Sequence, residues 1–193
     1  MNRTQVARTV STVGHPAIVI PSAAAGSALW IHGDGSVAAL AGCAGLLVSC
    51  VVLGYSLVRV RSGAWDHVDA SRPVERVRLN ALLVLVLSGV ALAASLSGST
   101  ALAAGSAACG AVVLLALLMR SRLKLSLHVA FAVLASTLWW PWGGAVLTSL
   151  ALAAAVAWSR LELGRHTPGE VAAGIVVGTL AGVAFNVLGM QGA

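Results

Sequence analysis

Long apolar segments occupy most of this chain and constrain its fold more than any other feature. We identify seven of them, at residues 17–31, 36–58, 80–97, 101–119, 126–140, 143–158 and 171–189. Most approach the length of about 20 residues with which a helix crosses the hydrocarbon core of a bilayer, and they lack the alternating pattern of barrel strands. Because 59% of the residues are apolar and only 9% are charged, a water-soluble globule would lack a polar surface. The sequence therefore predicts an all-α fold, a polytopic transmembrane bundle of six or seven spanning helices forming one integral membrane domain over residues 1–193.

The first apolar segment has two interpretations. In one it is a spanning helix. In the other it belongs to a cleaved signal peptide, because Arg3 and Arg8 precede a short apolar run and Ser22–Ala25 has the small residues of a cleavage site. The apolar core Ala17–Ile20 is shorter than the apolar region of most signal peptides, which favours the spanning helix.

Positive charge is confined to one side of the predicted topology. When the segments alternate across the membrane, all 12 Lys and Arg residues fall on the same face. The loops of the opposite face, at 32–35, 97–100 and 140–142, carry Asp34 as their only charged residue. The tryptophans near this uncharged face are Trp30, Trp139, Trp140 and Trp142. By the positive-inside rule, the charged face is predicted to be cytoplasmic, in the cell (plasma) membrane.

Three polar loops share the charged face. They lie around residues 59–79, 120–128 and 159–170, and an even number of apolar segments separates each loop from the next. Their side chains can therefore meet at one end of the bundle, as a site assembled from distant parts of the sequence requires.

The third loop carries a pattern suited to phosphoryl transfer. It places Arg160, His166 and Glu170 in that order between two apolar segments. Ionisable residues at such positions usually have a functional role. The arginine suits an anion, the imidazole suits attack on phosphorus or proton transfer, and a carboxylate four residues later suits orientation of the imidazole. Thr167 and Glu170 also match a capping box, so the carboxylate has a purely structural interpretation as well.

The second loop leads directly into an apolar helix. Ser126 is placed as its N-cap and His128 in its first turn, after Lys124. A helix N-terminus offers free backbone N–H groups to a phosphate, and His128 could protonate a leaving alkoxide. The alternative is a histidine that only sits at the headgroup level.

These loops resemble the motifs of the type-2 phosphatidic acid phosphatase superfamily, the membrane relatives of the vanadium haloperoxidases. The family's third motif is Ser-Arg, five residues, His, three residues, Asp, and the chain reproduces it from Ser159-Arg160 to Glu170, with Glu for Asp. The second motif, Pro-Ser-Gly-His, is reduced to 125–128, which keeps the serine and the histidine. The resemblance covers about residues 59–185, preceded by one or two N-terminal spanning helices.

The first family motif, a lysine, six residues and then Arg-Pro, is poorly matched. Arg72-Pro73 is present, but Trp65 stands in place of the lysine, and Arg76 competes for the role of the arginine. The candidates for the missing positive charge are Lys124, Arg120 and Arg122.

The resemblance implies a metal-independent lipid phosphatase with a phosphohistidine intermediate and no cofactor. In it His166 attacks phosphorus, with Glu170 as its partner, and His128 protonates the leaving oxygen. The phosphoryl oxygens would be bound by Arg160, Ser126, Lys124 and one arginine of the first loop, Arg72 or Arg76. Its partners would be a polyprenyl or glycerolipid phosphate and the surrounding membrane lipids, with no nucleic acid. The alternative is a catalytically silent relative that binds an anionic lipid or serves as a scaffold.

Other polar residues receive no catalytic assignment. Asp66, His67 and Asp69 could be imagined as a metal cluster, but such residues in a charged loop are typical of a solvated surface. His15 and His32 stand alone in the sequence, and we assign them no role.

The last apolar segment carries Gly174, Gly178 and Gly182 at intervals of four residues. This spacing places the glycines in one stripe along a helix, where a neighbouring backbone can approach closely. The sequence favours packing within the chain and leaves a homodimer through this stripe as the alternative.

Overall fold

The structure, a computed structural model, describes residues 2–70 and 72–189, and it is entirely helical in secondary structure there. Its eight α-helices are α1 (Arg3–Val13), α2 (Pro16–His32), α3 (Gly35–Arg61), α4 (Pro73–Leu96), α5 (Thr100–Leu118), α6 (Leu127–Thr137), α7 (Gly143–Glu162) and α8 (Pro168–Gly189). A short 3-10 helix, Met119–Ser121, follows α5. Each predicted apolar segment forms a helix, which confirms the all-α prediction; α1 is an additional helix that the apolar pattern does not reveal.

Five helices in the described part of the chain are long and apolar enough to cross a membrane. They are α3, α4, α5 with its 3-10 extension, α7 and α8. The apolar helices α2 and α6, with 17 and 11 residues, fall short of that length. The helices thus indicate a membrane-embedded protein.

Helix α6 forms the centre of the bundle. Its residues 129–136 are all buried, and Phe131 and Leu134 belong to a core that includes Val112 and Val113 of α5. A helix surrounded by other helices on every side can be apolar all round without facing lipid. The pattern of apolar residues alone therefore does not distinguish α6 from a spanning helix.

The glycine stripe of α8 packs against α6. A Cβ atom on Gly174 would lie 2.8 Å from the backbone oxygen of Ser126, and one on Gly178 would overlap the backbone of Ala130. The stripe is therefore occupied within the chain, as we predicted, and a homodimer through it would require α6 to move away. The close approach also fixes the start of α6 against the start of α8.

Helix α1 lies against α7 and is polar overall. It begins with a capping box in which the Asn2 side chain accepts from the Gln5 N–H at 2.8 Å. Ala7 is fully buried, and Arg3 Nε forms an ion pair with Glu162 at 2.9 Å. The helix ends beside Val156 of α7. The turn between α1 and α2 therefore lies inside the bundle, at the end that carries the three charged loops.

At the opposite end of the bundle the tryptophans form a cluster. Trp30 stacks on Trp142 with their ring centroids 4.3 Å apart, and Trp139 meets Trp142 at 5.9 Å. The rings of Trp30 and Trp142 remain exposed, as side chains at a membrane interface would be.

Candidate functional site

The second and third charged loops meet at one end of the bundle, as the topology predicted. Lys124 Nζ donates a hydrogen bond to the carbonyl oxygen of Arg165 at 2.8 Å. The Ser126 N–H donates to the carbonyl oxygen of Glu170 at 3.3 Å. One side-chain and one backbone hydrogen bond thus join the two loops and hold the starts of α6 and α8 together.

His166 and Glu170 form a close pair. Nδ1 of the imidazole lies 3.0 Å from Oε2 of the carboxylate, and the His166 side chain is only 7% exposed. The same Oε2 accepts the Thr167 N–H at 3.1 Å, while the Thr167 hydroxyl accepts the Glu170 N–H at 3.3 Å. Glu170 therefore caps α8 and contacts the histidine at once. A proton held on Nδ1 by the carboxylate leaves the opposite nitrogen, Nε2, with its lone pair.

The surroundings of His166 favour its neutral form. Burial and then the charge of Lys124 lower the pKa of the imidazole, and the charge of Arg160 adds to this effect. Glu170 opposes them, but the net pKa lies below the ordinary value. A neutral imidazole keeps the lone pair that a nucleophile needs.

Arg160 is buried at the last turn of α7. The residue is 6% exposed, and its Nη1 donates to the Ser11 hydroxyl at 2.8 Å. Its Nε is buried and has no hydrogen-bond partner within residues 2–70 and 72–189. A buried, unpartnered N–H is costly, and an anion oxygen is the partner that a guanidinium prefers.

Ser126 and His128 open α6 at the same place. Ser126 is fully buried, and its hydroxyl has no partner in the described residues although it occupies the N-cap position. His128 lies in the first turn, and its ring meets that of His15 edge to face, with the centroids 5.0 Å apart. His128 and Arg160 line the same cavity, whereas Ser126 is fully buried and does not line it.

Of the two arginines proposed for the first loop, the structure brings only Arg76 to this site. Arg72 pairs with Asp66 at 2.7 Å, its side chain is 62% exposed, and it does not line the cavity. It precedes the first residue of α4, whereas Arg76 lies one turn into the helix, on the cavity wall. Burial and then the charge of Arg76 lower the pKa of Lys124, as expected for neighbouring cations.

Trp65, which stands where the family motif has a lysine, is a packing residue. It is buried and meets the ring of Tyr55 edge to face at 5.4 Å. At position 65 the first loop therefore has a packing residue in place of a cation.

One cavity of about 1090 Å³ connects the charged site to the apolar interior. Its charged end is lined by Arg76, Lys124, His128, Arg160 and His166. It continues between α2, α3, α4 and α5 along apolar side chains and reaches Ser99 and Thr100 at the other end of the bundle. One side of α2 lines the wall from Pro16 to His32, a length of about 25 Å.

The sequence analysis missed two residues of this site, His15 and Ser11. The assignment of His15 as an isolated residue is wrong, because it contacts His128 and lies 3.9 Å from Asp69. Ser11 binds Arg160 from α1. The available signal was Pro16, which favours the first position of a helix and so marks His15 as an N-cap at the charged face.

No group of three metal-ligand side chains in the described residues could hold an ion. Asp66 instead pairs with Arg72, and Asp69 faces His15.

Comparison of the chain with family models, with curated proteins and with solved structures gives no match. The resemblance to the type-2 phosphatidic acid phosphatases rests on the motif residues alone and stays a prediction.

Proposed function

We propose that this protein is a membrane lipid phosphatase that hydrolyses a phosphomonoester or diphosphate of a polyprenyl or glycerolipid through a phosphohistidine. The observation that carries the proposal is the pairing of His166 with Glu170 beside the buried Arg160, whose Nε has no partner in the described residues. A held imidazole and a desolvated guanidinium supply a nucleophile and an anion site at one point.

Each residue of the site has a distinct role in the proposed reaction. Nε2 of His166 attacks phosphorus and forms the N–P bond, while the bond from phosphorus to the lipid oxygen breaks. His128 gives its proton to that oxygen. It then takes a proton from the water that attacks phosphorus and breaks the N–P bond, which releases phosphate and restores both histidines. Arg160, Lys124 and Arg76 offset the charge on the phosphoryl oxygens in the transition state.

The cavity supports a lipid as the substrate. Its charged end suits a phosphate, and its long apolar wall suits a hydrocarbon chain attached to that phosphate. A soluble phosphate ester would leave the apolar part without contacts. Substrates with a long chain should therefore bind better than short ones.

We further propose that the charged end faces the cytoplasm at the cell membrane and that six or seven helices span the bilayer. The confinement of Lys and Arg to this end supports the orientation. Helix α2, with 17 residues, is at the lower limit of a spanning length, and α6 would cross only together with the loop that follows it.

The test is phosphate release by detergent-purified protein from a panel of polyprenyl and glycerolipid phosphates, with EDTA present. We expect release that His166→Ala abolishes and that His67→Ala, an exposed histidine of the first loop, leaves unchanged. A labelled phosphoryl group should be trapped on the wild-type protein under alkaline denaturation and not on His166→Ala. Equal release by both variants, or no release by folded wild-type protein, would overturn the proposal.

The first loop favours a second candidate, a silent relative that binds an anionic lipid. Its basis is the pairing of Arg72 with Asp66 and the packing role of Trp65, which leave the first motif incomplete. This candidate predicts saturable binding of lipid phosphates by the folded protein, lost in Arg160→Ala, with no phosphate release.

A further inference from the structure

His15 occupies the turn between α1 and α2, where it is the N-cap of α2. Its Nδ1 accepts the Ala17 N–H at 3.1 Å. A nitrogen that accepts a hydrogen bond carries no proton, so the proton of the neutral ring lies on Nε2. The cap therefore selects one tautomer of His15.

Asp69 of the first loop faces the protonated nitrogen. Its Oδ1 lies 3.9 Å from His15 Nε2, a distance at which the carboxylate favours the same tautomer. Ala70, which follows it, is buried and has a φ of 48°, a left-handed conformation that is strained for a residue other than glycine. Such backbone strain concentrates at functional sites.

The ring of His15 in turn touches His128. The two rings lie 5.0 Å apart at an angle of 88°, an edge-to-face contact that limits rotation of either ring. His15 is fixed by its cap and faces Asp69, whereas His128 has no other ring contact within the described chain. Among the described residues, His15 is thus the ring against which His128 packs.

We propose that His15, with Asp69 behind it, is a positioning residue for His128 and directs its proton toward the leaving lipid oxygen. This inference rests on the proposed function, in which His128 is the general acid. It adds a third histidine, from the N-terminal part of the chain, to a site whose motif histidines came only from the second and third loops.

The charges around His15 come from three elements. Asp69 lies on the α3–α4 loop, His128 on α6 and Arg160 on α7. Burial lowers the pKa of His15, Asp69 raises it and Arg160 lowers it again, with a net result below the ordinary value. His15 therefore stays neutral at neutral pH and acts through its ring position and tautomer.

The alternative role for His15 is the N-cap alone, and His15→Asn separates the two. Asparagine is a strong N-cap, so this variant keeps the start of α2 and removes the ring. Asp69→Asn removes the carboxylate charge. His67→Asn, at an exposed position, is the matched control.

The activity test compares a lipid alkyl phosphate with a nitrophenyl phosphate ester of the same chain. A nitrophenolate leaves without protonation, so only the alkyl substrate needs the general acid. We expect His15→Asn to slow the alkyl substrate on the order of 10- to 100-fold, with a smaller loss for Asp69→Asn, and the aryl substrate to change less than about threefold. The double variant His15→Asn/His128→Ala should be no slower than His128→Ala alone.

A second measurement reads the position of His128 without turnover. The chain has five histidines, whose ring nitrogens can be followed by 15N NMR of labelled protein in detergent. We expect the ring shifts of His128 to change in His15→Asn and not in His67→Asn. Unchanged shifts, or equal losses on both substrates, would overturn the positioning role. Absence of phosphate release by wild-type protein would instead overturn the proposed function.

Discussion

The arginines beside the α7–α8 loop and the α3–α4 loop lie in opposite environments, one buried and the other exposed. Arg160, in the last turn of α7 before the first of these loops, is buried and keeps an N–H without a partner in the described residues. Arg72, at the end of the other, is 62% exposed and pairs with Asp66, which is 53% exposed. Exposed ion pairs contribute little to stability, whereas a buried charge is costly unless something binds it. The comparison teaches that burial, more than the presence of an arginine in a motif, distinguishes the stronger candidate for binding a phosphate.

The largest expected effect contrasts these two arginines directly. Arg160→Ala should lower kcat/KM for a lipid phosphate on the order of 10²- to 10³-fold, because it removes donors from the developing charge. Arg160→Lys should restore little of it, since an ammonium lacks the planar fork of a guanidinium. Initial rates on the best lipid phosphate of the panel measure both.

The control for this contrast is Arg72→Ala, which should change kcat/KM by less than about threefold because the side chain is exposed and outside the cavity. Arg76→Ala, on the cavity wall, should cost more than Arg72→Ala. Losses of equal size in Arg72→Ala and Arg160→Ala would break the comparison and restore the motif assignment of Arg72.

A smaller effect concerns Glu170 and Lys124, which shift the pKa of His166 in opposite directions. Glu170→Gln should lower the rate about tenfold, because the carboxylate stabilises positive charge on the ring during attack. Glu170 raises the pKa of His166, so its removal lowers that pKa, and the acid limb of kcat/KM should move to lower pH. Lys124 lowers the same pKa, so Lys124→Gln should move the limb to higher pH.

The pH profile of kcat/KM from about pH 5 to 9 measures these shifts, since activity falls as the neutral imidazole is protonated. Limbs that move in the same direction in both variants would show that His166 is not the group being titrated. A fully active Glu170→Gln with an unmoved limb would leave Glu170 as a helix cap only.

The smallest expected effect is on stability. It tests whether the close packing of α8 on α6 holds the α7–α8 loop in place. Gly174→Ala would place a Cβ 2.8 Å from the Ser126 oxygen and should destabilise the protein by about 1–3 kcal/mol. Gly54→Ala is the matched control, because its Cβ meets nothing within 4 Å. Thermal unfolding in detergent measures both, and equal midpoints would show that the α6–α8 contact is not close.

Much of this architecture could be predicted from hydropathy and spacing. The seven apolar segments form helices α2 to α8, and the loops at 120–128 and 159–170 meet because the number of segments between them is even. The pair His166 and Glu170 follows from a separation of four residues across a helix start. These are local or topological features, which a sequence expresses directly.

Other features depend on distant contacts. Helix α1 escapes a hydropathy search because only one face packs on α7, and Ser11 and His15 come to the site with it. The preference for Arg76 over Arg72 depends on which side of α4 faces the cavity, which neither the motif nor the charge reveals. The burial of α6 likewise comes from helices in other parts of the chain, and its apolar pattern alone does not reveal it.

The sequence by itself thus determined an all-helical membrane protein with its cations at one end and a histidine–carboxylate pair at the start of the last helix. Hydropathy and short-range spacing suffice for those features because each depends on residues within one helix or loop. Only the tertiary structure decided which arginine is desolvated, which glycine face is covered and which lone histidine meets His128. Burial and ring contact arise when helices far apart in the chain pack together, and no local pattern records them.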